Sequence, residues 1–191
     1  WTKKFIRPYE FLRPYASAGA RGLLEGAFGI GTDHPEFITL RDEFFSNYEK
    51  ALLVESKLFE DIDRLLDQMD QAKLPWGIVT NKSQRFTNPL VELMGLHKRS
   101  ASTVSGDTTP HSKPHPEPIL HAAKLANIDP TKSLYVGDDI RDVIAGKAAG
   151  MKTVAAAYGY CGCKEPPEAW GADYLIKTPL ELVEIIFPNR D

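Results

Sequence analysis

The sequence predicts an α/β protein in which an N-terminal helical unit precedes an open, parallel, Rossmann-like sheet. Two observations carry this. As far as residue 73, apolar residues recur at helical spacing and nothing reads as a strand. Beyond Leu74, short apolar runs alternate with helical segments, which is the pattern of a parallel sheet covered on both faces. The 191 residues are 42% hydrophobic and 26% charged, an ordinary globular balance with room for a core and a smaller attached unit. We divide them into a helical unit, 1–73, and an α/β unit, 74–191.

In the helical unit, 18–28 places Leu23, Leu24, Ala27 and Phe28 close to helix spacing. From Glu36 to about Val54, one stripe holds Phe37, Leu40, Phe44, Tyr48 and Leu52, and a third helix carries Ile62, Leu65, Leu66 and Met69. Strands are expected at 76–79, 101–104, 134–136, 153–157 and 174–176. Helices are expected between and after them, at 85–94, 116–125, 140–149 and 179–186. In such a sheet, ligands bind at the carboxyl ends of the strands, so the informative residues follow each apolar run.

Charge and cysteine usage narrow the function classes. A net charge of −3, from 23 basic and 26 acidic residues, argues against nucleic acid or an anionic membrane as partner. No apolar run is long enough to span a membrane, and Trp1-Thr2-Lys3-Lys4 leading into Phe5-Ile6-Arg7-Pro8 is too short and polar for a secretory signal. Cys161 and Cys163 stand in Tyr160-Cys161-Gly162-Cys163 without the further ligands a metal site needs, so they read as two reduced thiols in a loop. A cytoplasmic location is the default.

Three strand ends carry chemistry. After the first strand come Thr80, Asn81 and Lys82, and a hydroxyl and an amide there can donate hydrogen bonds to a phosphoryl oxygen. On its own, Thr-Asn-Lys is common turn chemistry. After the second strand, prolines 114, 116 and 118 fix the backbone around Lys113, which offers a compact positive charge for a phosphate or carboxylate. His111 and His115 read as loop histidines. After the third strand, Gly137 leads into Asp138, Asp139 and Asp142, three carboxylates within five residues. Such clustering needs a cation or hydrogen-bond donors to offset the repulsion. Oxygen-only ligands suit Mg²⁺. Helix capping accounts for Asp138 or Asp139 and leaves the others unexplained.

In the order threonine, lysine, acid after successive strands, Thr80, Lys113 and Asp138 resemble the second, third and fourth motifs of the haloacid dehalogenase superfamily. The match spans about residues 75–160, and the helical unit resembles the cap inserted after the first strand in the phosphoglycolate phosphatase-like branch. Within it, Ser56-Lys57-Leu58-Phe59-Glu60, 76–82, and Trp170-Gly171-Ala172-Asp173 with Pro179-Leu180-Glu181-Leu182 resemble the bacterial N-acetylmuramic acid 6-phosphate phosphatases, often labelled phosphoglycolate phosphatases.

The resemblance implies a Mg²⁺-dependent phosphatase acting on a small phosphorylated metabolite, N-acetylmuramic acid 6-phosphate or 2-phosphoglycolate. Asp138 would bind the metal, with Asp139 and Asp142 holding metal waters or orienting neighbours. Thr80 and the backbone at Asn81 would bond the phosphoryl oxygens, and Lys113 would offset charge. Arg21 is the candidate for contact with the organic part of the substrate, while Lys82 and Arg85 are placed on the surface.

The family's first motif, Asp-x-Asp-Gly-Thr/Ser on the central strand, supplies the nucleophile, and it does not occur in the 191 residues; Asp61-Ile62-Asp63 is followed by Arg64 within a helical segment. The physiological protein is therefore expected to be longer, and without that strand its neighbours should carry unpaired backbone groups beside a hole in the core. Rival readings are a phosphoglucomutase-like or dehalogenase member of the superfamily, and a non-catalytic phosphate-binding or receiver-like domain that has lost its nucleophile. A dehalogenase has no use for the acid cluster, and a receiver domain has no helical cap.

Overall fold

The structure, a computed structural model, describes residues 7–162 and 164–188. The segment Trp1 to Ile6 and Cys163 lie outside the described residues, so the reading of the amino terminus and of the second thiol is not addressed by it.

Four helices come first: α1 (Tyr9–Leu12), α2 (Gly19–Phe28), α3 (Phe37–Lys50) and α4 (Ile62–Gln71), with a 3₁₀ segment, Arg13–Ala18, between α1 and α2. The alternating part follows as β1 (Gly77–Val79), α5 (Gln84–Leu93), β2 (Ser102–Val104), α6 (Glu117–Ala126), β3 (Leu134–Gly137), α7 (Ile140–Ala148), β4 (Lys152–Ala156), β5 (Tyr174–Ile176) and α8 (Glu181–Ile186). Every strand expected from the sequence is present. The helix expected to reach Val54 stops at Lys50, because Ala51 leaves helical geometry at φ −122° and ψ 24°. The short α1 and its 3₁₀ continuation have no apolar periodicity to announce them; Pro8 and Pro14 set their geometry instead.

Helices α2 and α3 bury Leu24, Phe37 and Leu40 against one another, with Ile30 packed on them. Helix α4 does otherwise. Its buried Leu65 and Met69 join Val154 and Ala156 of β4, Ile176 of β5 and Leu182 of α8. The division drawn at residue 73 therefore follows α4 in sequence, whereas the apolar face of α4 belongs with the sheet. Full burial of a side chain such as Ile176 is worth roughly 1.5–3 kcal/mol, so the sheet holds α4 firmly.

All strand pairs are parallel, but they form two sheets, β1–β2 and β3–β4–β5. The edges of β1 and β3 do not pair. Between them lies a cleft of about 880 Å³ lined by Ile78 and Val79 on one side and Leu134, Tyr135 and Val136 on the other, with Ile119, Met151 and Leu182 below. The cleft lies between the two sheets. The Val79 carbonyl at this edge is not left bare: the Lys113 ammonium donates to it at 2.9 Å and the Tyr135 hydroxyl at 3.3 Å. Among the described residues, no helix is long and apolar enough to cross a membrane.

Candidate active site

The carboxyl ends of β1 and β3 meet the loop after β2 at one place. Thr80 directly follows β1, where its N–H donates to Val104 O at 2.9 Å and its hydroxyl accepts from the Lys82 N–H at 3.1 Å. The Asn81 side chain grips the backbone of Lys113 from both ends, donating to Lys113 O at 2.8 Å and accepting from Lys113 N at 2.9 Å. That pair of hydrogen bonds holds the proline-rich loop against the end of β1, so the Lys113 stem must run inward.

The Lys113 ammonium pairs with Asp142 Oδ1 at 2.7 Å and donates to Tyr135 Oη at 3.0 Å. The two charged side chains are only 10% and 9% exposed. Burial alone would push the lysine down. The carboxylate charge of Asp142 and the hydrogen bonds to Asp142 and Tyr135 outweigh it and hold the ammonium above its ordinary value. Burial pushes the Tyr135 hydroxyl up to about 12, so it stays a phenol and keeps its proton to donate.

The three aspartates divide their work. Asp139 is the N-cap of α7, accepting the Arg141 N–H at 2.9 Å, and the Arg141 guanidinium also forks onto its carboxylate at 2.8 Å to each oxygen. Asp142 lies in the first turn and faces Lys113. Asp138 accepts one backbone N–H, from Tyr160 at 2.7 Å on Oδ2, and makes no other hydrogen bond among the described residues. Two glycines let these acids sit so close to backbone. A Cβ on Gly137 would stand 2.2 Å from Asp142 Cβ, and one on Gly159 would stand 2.2 Å from Asp138 Cβ.

Thr80, Asn81, Lys113, Asp138, Asp139 and Asp142 all line a single pocket of about 670 Å³. Its other wall comes from the helical part, through Ala20, Leu23, Phe44 and Tyr48. Arg21 does not take part. It is exposed on α2, and the turn that buries Ala20 points the next side chain to solvent. Lys82, placed on the surface from sequence, is partly buried and lines the pocket, whereas Arg85 is exposed and pairs with Glu49 at 2.6 Å. No local sequence signal assigns Arg141, Tyr135, Tyr48 or Tyr160 to the site; the fold brings them there. Arg141 also ties the two halves together, donating to Ser17 O at 2.6 Å.

This geometry has relatives. The haloacid dehalogenase-like hydrolase family model matches residues 24–156, well over half of the chain. The chain belongs to the haloacid dehalogenase-like hydrolases. The resemblance drawn from Thr80, Lys113 and Asp138 is thereby borne out. An N-acetylmuramic acid 6-phosphate phosphatase of Pseudomonas putida is 42% identical over 92% of this chain and 78% of its own length. A phosphoglycolate phosphatase of Xanthomonas campestris is 39% identical over 91% and 78%. Among solved structures, a predicted phosphoglycolate phosphatase from Haemophilus somnus superposes with a TM-score of 0.81 at 22% identity, covering 94% of this chain and 83% of that one. This last likeness establishes the haloacid dehalogenase fold.

Hydrolases of this family are expected to use Mg²⁺, and the donor chemistry can be tested against that. All acidic groups at the pocket offer oxygen only, as a hard cation requires. Among the described residues, however, no three His, Cys, Asp or Glu side chains gather in metal-holding positions. Arg141 occupies Asp139 and Lys113 occupies Asp142, which leaves Asp138 as the uncommitted carboxylate. Mg²⁺ commonly takes only one or two protein carboxylates, completing its shell with water and phosphate. The residues fit on that count, and Asp138 is the carboxylate that would hold the ion.

The Asp139–Arg141 fork also sets a pH dependence. Burial raises the Asp139 carboxyl, but the hydrogen bonds and charge of Arg141 outweigh burial and hold it below its ordinary 3.8. A lowered acid contributes stability that is full above the unfolded value and is lost as pH falls through the folded one. Asp139→Asn should therefore flatten the loss of stability below about pH 4, as read from urea midpoints. An acid limb as steep as the wild type's would contradict this account.

Proposed function

We propose that the full-length gene product is a Mg²⁺-dependent phosphatase that hydrolyses a small phosphate monoester through an aspartyl-phosphate. The substrate would be N-acetylmuramic acid 6-phosphate or 2-phosphoglycolate. The observation that carries this reading is the convergence of Thr80, Lys113 and Asp138 from three strand ends on one pocket.

The Thr80 hydroxyl and the backbone N–H of Asn81 donate to the phosphoryl oxygens. Lys113, kept charged by Asp142 and Tyr135 and positioned by Asn81, offsets charge that builds on the phosphoryl group in the transition state. Asp138 would hold the Mg²⁺, which when bound supplies positive charge that neutralises phosphoryl oxygen. Asp139 stays with Arg141 and fixes the start of α7.

The attacking carboxylate belongs in the cleft between β1 and β3, on a strand outside these 191 residues. The cleft's apolar walls, its unpaired edges and the position of Lys113 at its carboxyl end all support this placement. Attack forms the bond between the aspartate oxygen and phosphorus and breaks the bond from phosphorus to the ester oxygen, which takes a proton from water and leaves as the alcohol. Water then cleaves the acyl phosphate and frees inorganic phosphate. The helices ahead of α4 act as the cap, with Phe44 and Tyr48 facing the leaving group and excluding water.

Assay of the full-length protein with both esters tests the proposal. Turnover that requires Mg²⁺ and falls at least about a hundredfold in Asp138→Asn is expected. Saturable binding of either ester with no hydrolysis would instead favour a non-catalytic phosphate-binding domain.

A further inference from the structure

The pocket contains three cations, and two of them are spoken for. Lys113 pairs with Asp142 at 2.7 Å and Arg141 with Asp139 at 2.8 Å. Lys82 makes no ion pair among the described residues. Its ammonium turns to the helical wall instead, donating to Tyr48 Oη at 2.8 Å and lying 4.5 Å from the centre of that ring. Tyr48 is stacked on Phe44 with an interplanar angle of 5° and meets the edge of Phe86.

A partly buried ammonium without a counter-ion, facing a ligand cavity, is poised for an anion brought by the ligand. The phosphoryl group is already served by Thr80, Lys113 and Asp138. Because the Tyr48 oxygen accepts from Lys82, the Tyr48 proton is free to donate. Two donors then stand 2.8 Å apart beside an aromatic wall, an arrangement that matches the two oxygens of a carboxylate attached to a carbon skeleton.

We propose that Lys82 and Tyr48 form a carboxylate subsite, so that the preferred substrates are phosphate monoesters whose leaving group carries a carboxylate. This rests on the phosphatase reading above and adds the residues that select the leaving group. Lys82 serves specificity; the atoms that react are held by others.

The test compares two ligands that differ in one group: N-acetylmuramic acid 6-phosphate and N-acetylglucosamine 6-phosphate, which lacks the lactyl carboxylate. Titration calorimetry and kcat/KM are both measured on the full-length protein. A charged hydrogen bond is worth about 1.5–3 kcal/mol, so the wild type should favour the carboxylate-bearing ester by roughly 10–100-fold in both readouts. In Lys82→Gln the ratio between the two esters should collapse to within about threefold. Lys82→Arg should keep most of it, and Tyr48→Phe should lose part.

A cation that merely ties the helical part to the α/β part would weaken both esters together and leave their ratio unchanged, which would overturn the proposal. A wild type blind to the carboxylate would overturn it too, as would a Lys82-dependent preference for glucose 1,6-bisphosphate over the carboxylate ester. If no ester is hydrolysed, including p-nitrophenyl phosphate, the phosphatase reading fails, while the calorimetric ratio still decides the subsite.

Discussion

Lys113→Met is expected to lower turnover of the full-length protein by roughly 10²–10³-fold, the usual result of removing a group aimed at charge in a transition state. It should also destabilise the fold, for a separate reason. The Lys113 and Asp142 side chains are 10% and 9% exposed at 2.7 Å separation, so deleting the lysine leaves a buried carboxylate without its counter-charge. Breaking such a pair from one side costs roughly 3–5 kcal/mol. The two effects can be separated. Adding Asp142→Asn to Lys113→Met removes the orphaned charge and should restore most of the stability, while activity stays lost. A double variant that regains activity with its stability would mean that Lys113 acts only as a structural tie.

Gly137→Ala should damage both the fold and the site. The new Cβ would lie 2.2 Å from Asp142 Cβ and 2.4 Å from both its Cγ and its Oδ2. Either α7 or the end of β3 must shift, at a cost of roughly 1–3 kcal/mol or more for overpacking. The shift also moves Asp142 away from Lys113, and a displacement of about 1 Å at such a site can cost about a hundredfold in rate. Gly31→Ala is the control, because nothing lies within 4 Å of its added methyl. Thermal melts and kcat should both fall for Gly137→Ala and hold for Gly31→Ala. Equal behaviour of the two variants would show that the approach of α7 to β3 is looser than these distances state.

Most of the architecture was legible because strands with two covered faces must be written as short apolar runs. Val79, Val104, Val136 and Ile176 each stand in one, and the residues after the first three of those runs lead to Thr80, Lys113 and Asp138. What escaped depends on direction or long-range contact. Arg141 reads as an ordinary helix residue until the Ser17 carbonyl, far away in sequence, is seen to accept its hydrogen bond. Tyr135 reads as core; only the approach of the Lys113 loop turns its hydroxyl into a site group. Nothing local says that Lys82 folds toward Tyr48 instead of toward solvent.

Arg21 is a different case. The periodicity that buries Ala20 and Leu24 places Arg21 on the outer face, away from the pocket lining. Likewise α4 follows α2 and α3 in sequence and shares their helical pattern, yet it packs on β4 and β5. Which partner covers an amphipathic face is a tertiary fact that periodicity does not encode.

The central claim is that Thr80, Lys113 and Asp138 jointly form one phosphoryl site. Calorimetric titration of inorganic phosphate with Mg²⁺ into the full-length protein, and into Thr80→Val, Lys113→Met and Asp138→Asn, tests it most directly. The account predicts that each substitution weakens phosphate binding by at least about tenfold, or 1.4 kcal/mol. Phosphate bound equally well by the wild type and all three variants would contradict it.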